Sequence, residues 1–257
     1  MRIVVKVGTS TLTHGHGGLN IRCVEELCKV LSDLKNAGHD VILVSSGAIG
    51  MGVGKLSLPA RPADIPGKQA TAAVGQCELM YIYDKMFGEY NQTVGQLLIT
   101  NQVMKGGKSS ENFTNTLFRL LEWNVIPIVN ENDTMAVHEI EIGDNDTLSA
   151  IVARAAQADL LILLSDIDGL YTADPHKHPE AKRIPVVEEV TPEIEAMAGS
   201  AGSALGTGGM MTKLNAAKMV WEQGIDMIIA YGARPAILYD ILEGKPIGTR
   251  FLGRKSK

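Results

Sequence analysis

Three segments of this sequence join a strand-like run to glycine and small hydroxylated residues, and two of them carry a lysine. The first is Val5-Lys6-Val7-Gly8-Thr9-Ser10-Thr11. A lysine inside an apolar strand is costly unless its ammonium meets an anion at the strand end. Gly8 permits close backbone approach, and the hydroxyls add donors. A lysine at an exposed strand edge is the plainer alternative. The second segment, Val44-Ser45-Ser46-Gly47-Ala48-Ile49-Gly50, turns from strand into helix, where backbone N–H groups make an anion cradle. The third, Gly206-Thr207-Gly208-Gly209-Met210-Met211-Thr212-Lys213, opens a helix with a lysine one turn in. That lysine is placed to neutralise charge on a polyphosphate tail.

The common phosphate motifs do not account for these segments. Gly107-Lys108-Ser109 is similar to the end of a P-loop, but position 102 is Gln where a glycine is required, and a surface loop is the better reading. Gly50 and Gly52 begin a dinucleotide fingerprint that fails at Lys55.

Residues 130–146, NENDTMAVHEIEIGDND, form the most unusual stretch. Between Leu120 and Ala153 stand seven carboxylates and no Lys or Arg: Glu122, Glu131, Asp133, Glu139, Glu141, Asp144 and Asp146. Such a run needs a cation from elsewhere: a substrate ammonium, a nucleotide-bound Mg2+, or lysines from remote segments. Its spacing is not that of an EF-hand calcium loop. His138, His176 and His178 read as structural or exposed side chains.

These residues must be held by a scaffold, and the hydrophobic pattern describes one. Short apolar runs at 3–7, 40–44, 93–99, 125–129, 160–164 and 227–230 read as buried parallel strands. Helical periodicity lies between them at 21–37, 68–87, 114–123, 145–156 and 210–223, with Gly38 and Gly224 as stops. The alternation predicts an α/β doubly wound sheet with ligands beyond the carboxyl ends of its strands. Ser165 and Asp166 follow one such strand directly. Residues 172–203 read as a loop-rich insertion within one domain.

The 257 residues are 45% hydrophobic and 21% charged, enough to bury a core and to exclude a disordered chain. A formal net charge of -5 argues against a nucleic-acid partner. Seven of the 29 acidic residues fall in the segment above, leaving 22 against 24 Lys and Arg elsewhere. The chain is therefore a near-neutral body around one acidic segment. Cys23, Cys28 and Cys77 are too few and wrongly spaced for a disulfide framework or a zinc site. No signal peptide or membrane span is readable, so a cytoplasmic protein without a membrane partner is expected.

In order, KVGTSTLT, SSGAIGMG, KQATAAVGQ, GQLLIT, PIVNENDT, EIEIGDNDTLSA, LLSDIDGLYTADP and GTGGMMTK give the sequence a close resemblance to the amino acid kinase family. The resemblance is to the members that phosphorylate glutamate. It implies a three-layer αβα sandwich with a mainly parallel sheet of roughly eight strands, and a single catalytic domain over 1–257. It implies transfer of a phosphoryl group from ATP to the γ-carboxylate of L-glutamate, giving L-glutamyl 5-phosphate as the first step of proline synthesis, with Mg2+ carried on the nucleotide.

By the same resemblance, Lys6 and Lys213 bracket the transferring group, and Asp146 positions the lysines and the metal, with Asp144 beside it. Ser165, Asp166 and the run Thr207, Gly208, Gly209, Met210, Met211, Thr212 and Lys213 hold ATP together with Lys6. Ser46, Asn130, Asp133 and Asn145 hold glutamate. No side chain is assigned as a direct metal ligand. The resemblance further implies feedback inhibition by proline, a homo-oligomer (dimer or tetramer), and glutamyl phosphate reductase as the next enzyme and a channelling partner. Many family members add a C-terminal RNA-binding-type PUA domain, and this sequence is expected to lack it. Two other readings are open: a kinase of the same fold acting on carbamate, acetylglutamate, aspartate or a nucleoside monophosphate, and a non-catalytic amino-acid sensor.

Overall fold

The structure is a computed structural model, which describes residues 1–14, 18–104, 106–135, 145–175, 177–199 and 209–254. The elements run β1 (Arg2–Val7), α1 (Thr9–Leu12), α2 (Ile21–Asn36), β2 (Asp40–Ser45), α3 (Ala48–Lys55), α4 (Ile65–Gly88), β3 (Val94–Ile99), α5 (Asn101–Met104), α6 (Lys108–Glu122) and β4 (Ile126–Glu131). They continue α7 (Asn145–Ala155), β5 (Leu160–Ser165), β6 (Leu170–Tyr171), β7 (Arg183–Ile184), β8 (Val186–Val187), α8 (Pro192–Gly199), α9 (Met210–Trp221), β9 (Asp226–Tyr231), α10 (Ile237–Leu242) and β10 (Thr249–Phe251).

Eight strands form one sheet in the order β3-β4-β2-β1-β5-β9-β10-β8. All pairings from β3 to β9 are parallel, and β10 runs antiparallel to β9. This is the expected mainly parallel sheet. β1 lies in its interior, with Lys6 opposite Val44 of β2 on one side and Leu163 of β5 on the other.

The sheet divides two apolar cores by strand parity. On one face, Val4, Ile42, Val44, Leu161 and Leu163 pack with Leu117 of α6, Leu148 and Val152 of α7, and Leu214 and Ala217 of α9. On the other, Ile3, Val5, Val7, Leu43 and Ile162 pack with Leu27 and Leu31 of α2, Leu79, Tyr83 and Phe87 of α4, and Leu238 of α10. Two covered faces explain why the strands read as continuous apolar runs. Parity also aims Lys6: it shares its face with Val4, the face on which α7 and α9 lie.

Helix ends follow local chemistry. Asn20 accepts a bond from the Cys23 N–H, and Asp64 one from the Gly67 N–H, each capping a first turn. Gly38 and Gly224, at φ 91° and 73°, end α2 and α9 as expected.

Two expectations need correction. Gly107-Lys108-Ser109 is not a surface loop but the start of α6, six residues before the predicted helix. Gly106 and Gly107 hold φ of 77° and 72°, conformations that let the chain turn into that helix. The helix expected after Gly47 is present as α3, although AIGMGVGK is too glycine-rich to show a helical stripe. Residues 172–203 are not simply a loop. They supply β7, β8 and α8, and β8 pairs with β10 at the sheet edge.

Glycine in α3 and α4 serves packing. A Cβ on Gly75 would lie 1.7 Å from the Ala48 carbonyl oxygen, and one on Gly52 2.0 Å from that of Thr71. The two helices therefore touch backbone to backbone.

Candidate active site

The site lies at the carboxyl ends of β1, β2, β4 and β5, where the sheet topology places ligands. At its centre Lys6 Nζ stands 2.6 Å from Asp146 Oδ1, and Lys213 Nζ 3.0 Å from Asp146 Oδ2. All three residues are buried, Asp146 completely. Thr212 Oγ1 is 2.9 Å from the same Oδ2 and 2.7 Å from the Gly209 carbonyl oxygen, its hydrogen shared between two acceptors.

Burial alone would raise the Asp146 pKa. The charges of Lys6 and Lys213, and the hydrogen bonds they donate, more than offset it and hold the carboxyl well below the usual carboxylate range. The cluster thus sets two lysine ammoniums against one carboxylate. A Cβ built on Gly8 would stand 3.7 Å from the Lys6 ammonium, so the bare glycine leaves that ammonium approachable from the strand end. The lysine in the strand is buried and paired, not an exposed edge residue, and its partner comes from the acidic segment.

A second group adjoins the first through the chain itself, since Asn145 precedes Asp146. Asn145 Nδ2 donates to Ser46 Oγ at 2.7 Å, to Asn130 Oδ1 at 3.0 Å and to the Ser45 carbonyl at 3.2 Å. Asn130 Nδ2 donates in turn to Gln76 Oε1 at 2.9 Å. Gly47, at φ 100°, turns the chain between β2 and α3 so that Ser46 faces this group. Below it, Ser45 Oγ and the Tyr83 hydroxyl are 2.8 Å apart, and burial pushes the Tyr83 phenol far above its ordinary pKa.

Asp133 sits on the turn after β4, at the wall of a cavity of about 410 Å³. Gln76, Gln96, Glu131 and Asn132 share that wall. On the other flank of β1, Ser165 ends β5 and donates to Asp166 Oδ1 at 3.0 Å, with Asp166 exposed. Gly209, at the start of α9, caps that helix by its backbone, leaving N–H groups of the first turn available to an anion. Met210 is buried and Met211 partly exposed.

The structure therefore brings together Lys6, Asp146, Thr212 and Lys213 in one cluster, and Ser46, Asn130 and Asn145 in the next. Asp144, Thr207 and Gly208, with His138 and His176, lie outside the described residues. Gln76 and Tyr83 were given no role from sequence. Gln76 closes the KQATAAVGQ motif, and nothing in that string shows that it meets Asn130 across the fold. Among the described residues, no three His, Cys, Asp or Glu side chains cluster as a metal site would require. Asp146, already shared by two ammoniums, does not fit the part of a protein-held Mg2+ ligand.

The profile of the amino acid kinase family matches residues 1–231. The chain is 56% identical to a protein of Listeria monocytogenes named glutamate 5-kinase, over all of this chain and 94% of that protein. It is 55% identical to a glutamate 5-kinase of Clostridium perfringens, over all of this chain and 97% of that one. Among solved structures, carbamate kinase from Giardia lamblia bound to AMP-PNP superposes with a TM-score of 0.70 over 98% of each chain, at 14% identity, a likeness of fold.

Proposed function

The chain belongs to the amino acid kinase family, and on that premise we propose that it transfers the γ-phosphoryl group of ATP to the γ-carboxylate of L-glutamate. The products are ADP and L-glutamyl 5-phosphate, the first step of proline synthesis. One observation carries the assignment of roles: the Lys6–Asp146–Lys213 cluster and the Ser46–Asn130–Asn145 group are joined at consecutive residues, so a phosphoryl donor and an amino-acid acceptor meet there.

The chemistry needs little acid–base help. A glutamate side chain, with a pKa near ~4.3, is already ionised at neutral pH, so its oxygen can attack without a general base. One carboxylate oxygen forms a bond to the γ-phosphorus as the bond to the β–γ bridging oxygen breaks, and ADP departs. The obstacle is bringing two anions together. Lys6 from β1 and Lys213 from α9 offset that repulsion, and Asp146 holds both ammoniums in place before substrate arrives. The α9 N-terminus, with Ser165 and Asp166 opposite, takes the nucleotide. Mg2+ would be carried on the phosphates of ATP, where it would offset part of their charge.

Ser46, Asn130 and Asn145 orient the acceptor, and the carboxylates at Glu131 and Asp133 suit its α-ammonium. Proline carries the same ammonium and carboxylate pair, and we assign its inhibition to this group. A homo-oligomer and transfer of the acyl phosphate to a reductase belong to the same reading.

A hydroxamate assay with Mg2+-ATP and a panel of acids tests the proposal. Acyl hydroxamate from L-glutamate alone is the expected result. Product from aspartate or acetylglutamate instead would assign a different acceptor, and none from any acid would make the chain a binding protein.

A further inference from the structure

The orientation of one buried amide can be derived from its neighbours. Asn130 Oδ1 accepts from the Glu131 backbone N–H at 2.9 Å. A backbone N–H only donates, so Asn130 must present its oxygen there, and its NH2 must face the other way. That NH2 meets Gln76 at 2.9 Å, so Gln76 must answer with Oε1. Gln76 is 8% exposed, and its own Nε2 has no partner among the described residues. Turning the Gln76 amide round would set two NH2 groups against each other. Among the described residues, the arrangement that leaves the Gln76 NH2 without a partner is the one that keeps an acceptor in front of Asn130.

The consequence reaches the substrate. Asn130 Oδ1, so oriented, also draws the Asn145 NH2 at 3.0 Å, and that NH2 serves Ser46 Oγ and the Ser45 carbonyl as well. Asn145 is left with Oδ1, an acceptor that bonds no described residue. Ser46 accepts at its oxygen and keeps its hydroxyl hydrogen to give. The pair offers one acceptor and one donor, the complement of an ammonium beside a carboxylate.

We infer that Gln76 is a positioning residue for the acceptor: with the Glu131 N–H it holds the Asn130 amide from both ends, and Asn130 together with the Ser45 carbonyl sets which end of the Asn145 amide faces the ligand. The role rests on the reading that the acceptor is a free amino acid. Gln76 lies on the acceptor flank, against Asn130 and on the cavity wall shared with Glu131 and Asp133, so its effect is expected on one substrate.

Two variants test this. Gln76→Met keeps the length but removes the acceptor, whereas Gln76→Glu retains an oxygen for Asn130. In the ligand-free protein, NMR should show the Asn145 side-chain NH2 equally protected from hydrogen exchange in wild type and in Gln76→Glu, and measurably less protected in Gln76→Met, where only its bonds to Ser45 and Ser46 stay supported. In the assay, Gln76→Met should raise KM for glutamate about tenfold, the scale of one net hydrogen bond, with KM for ATP within about twofold. Gln76→Glu should restore the glutamate KM. Unchanged Asn145 protection in Gln76→Met, or KM values for both substrates rising together, overturns the inference. Should Gln76→Met fail to fold, lost protection in Gln76→Glu does so. A wild-type protein inactive on glutamate overturns the proposed function, while the ligand-free exchange still decides the role of Gln76.

Discussion

Lys6 and Lys213, from the first strand and the ninth helix, bind opposite oxygens of the Asp146 carboxylate at 2.6 and 3.0 Å. The two ammoniums thus stand on either side of one small anion, at fixed positions and almost without water. On the proposed roles, an incoming phosphoryl group would meet charges that are already arranged. In a preorganised site of this kind little reorganisation remains to be done during reaction.

Removal of one of these cations should act on turnover. Lys213→Ala is expected to lower kcat by about 10²-fold or more, the scale of losing a focused electrostatic stabiliser. Steady-state kinetics at saturating ATP and glutamate measures it, and an unchanged kcat would remove Lys213 from the mechanism.

Asp146→Asn leaves two buried ammoniums without their anion. Breaking a buried pair in this way should cost about 3–5 kcal/mol of stability as well as activity. Urea unfolding followed by circular dichroism gives the first and the hydroxamate assay the second. A variant as stable as wild type would show that the lysines find other partners.

The same carboxylate predicts a pH dependence. Its folded pKa lies below the ordinary value of 3.8, so its contribution to stability is fully present above that value. The contribution is lost as pH falls through the folded pKa. The stability gap between wild type and Asp146→Asn should therefore be constant above about pH 5 and shrink on further acidification. A gap that widens in acid would reverse the assignment.

Helix contact gives a prediction independent of chemistry. Gly75→Ala forces a Cβ to 1.7 Å from the Ala48 carbonyl oxygen and must push α3 away from α4. A loss of about 3 kcal/mol or more is expected, at the upper end of overpacking effects. Gly88→Ala, at the exposed end of α4 with nothing within 4 Å of the new Cβ, should be neutral or slightly stabilising. Melting temperatures of the two variants compare them directly, and equal values would refute the close contact.

The thiols separate by burial. Burial pushes Cys23 up to about 11, with Glu26 adding to it, and raises Cys28 further. Cys77 is exposed. One of the three thiols should react quickly with a disulfide reagent at pH 8 in the native protein, and all three after denaturation.

Five of the six long strands could be read from sequence because they are buried on both faces and so are written in apolar residues; β3, at the sheet edge, is only partly covered and was legible from its Leu97-Leu98-Ile99 run. The short strands β7, β8 and β10 could not, because two or three residues carry no period and their pairing is set by distant chain. Lys6 announced itself as a charge in an apolar run, and Asp146 as an acid without a local cation. Their pairing needed the fold, which brings α7 across β1. Gln76 gave no signal, since an amide on a helix is ordinary until Asn130, 54 positions on, is placed beside it.

The interior place of β1 also separates two kinds of change. On the proposed roles, the acceptor group hangs from β2, β4 and α4 on one flank and the nucleotide elements from β5 and α9 on the other, with α7 carrying Asn145 and Asp146 between them. Substitutions on the first flank can alter which acid is recognised while the phosphoryl-donor half stays intact. Apart from the shared Asn145–Asp146 junction, the layout divides across a single strand, which makes the β2, β4 and α4 side the natural place to redesign substrate choice.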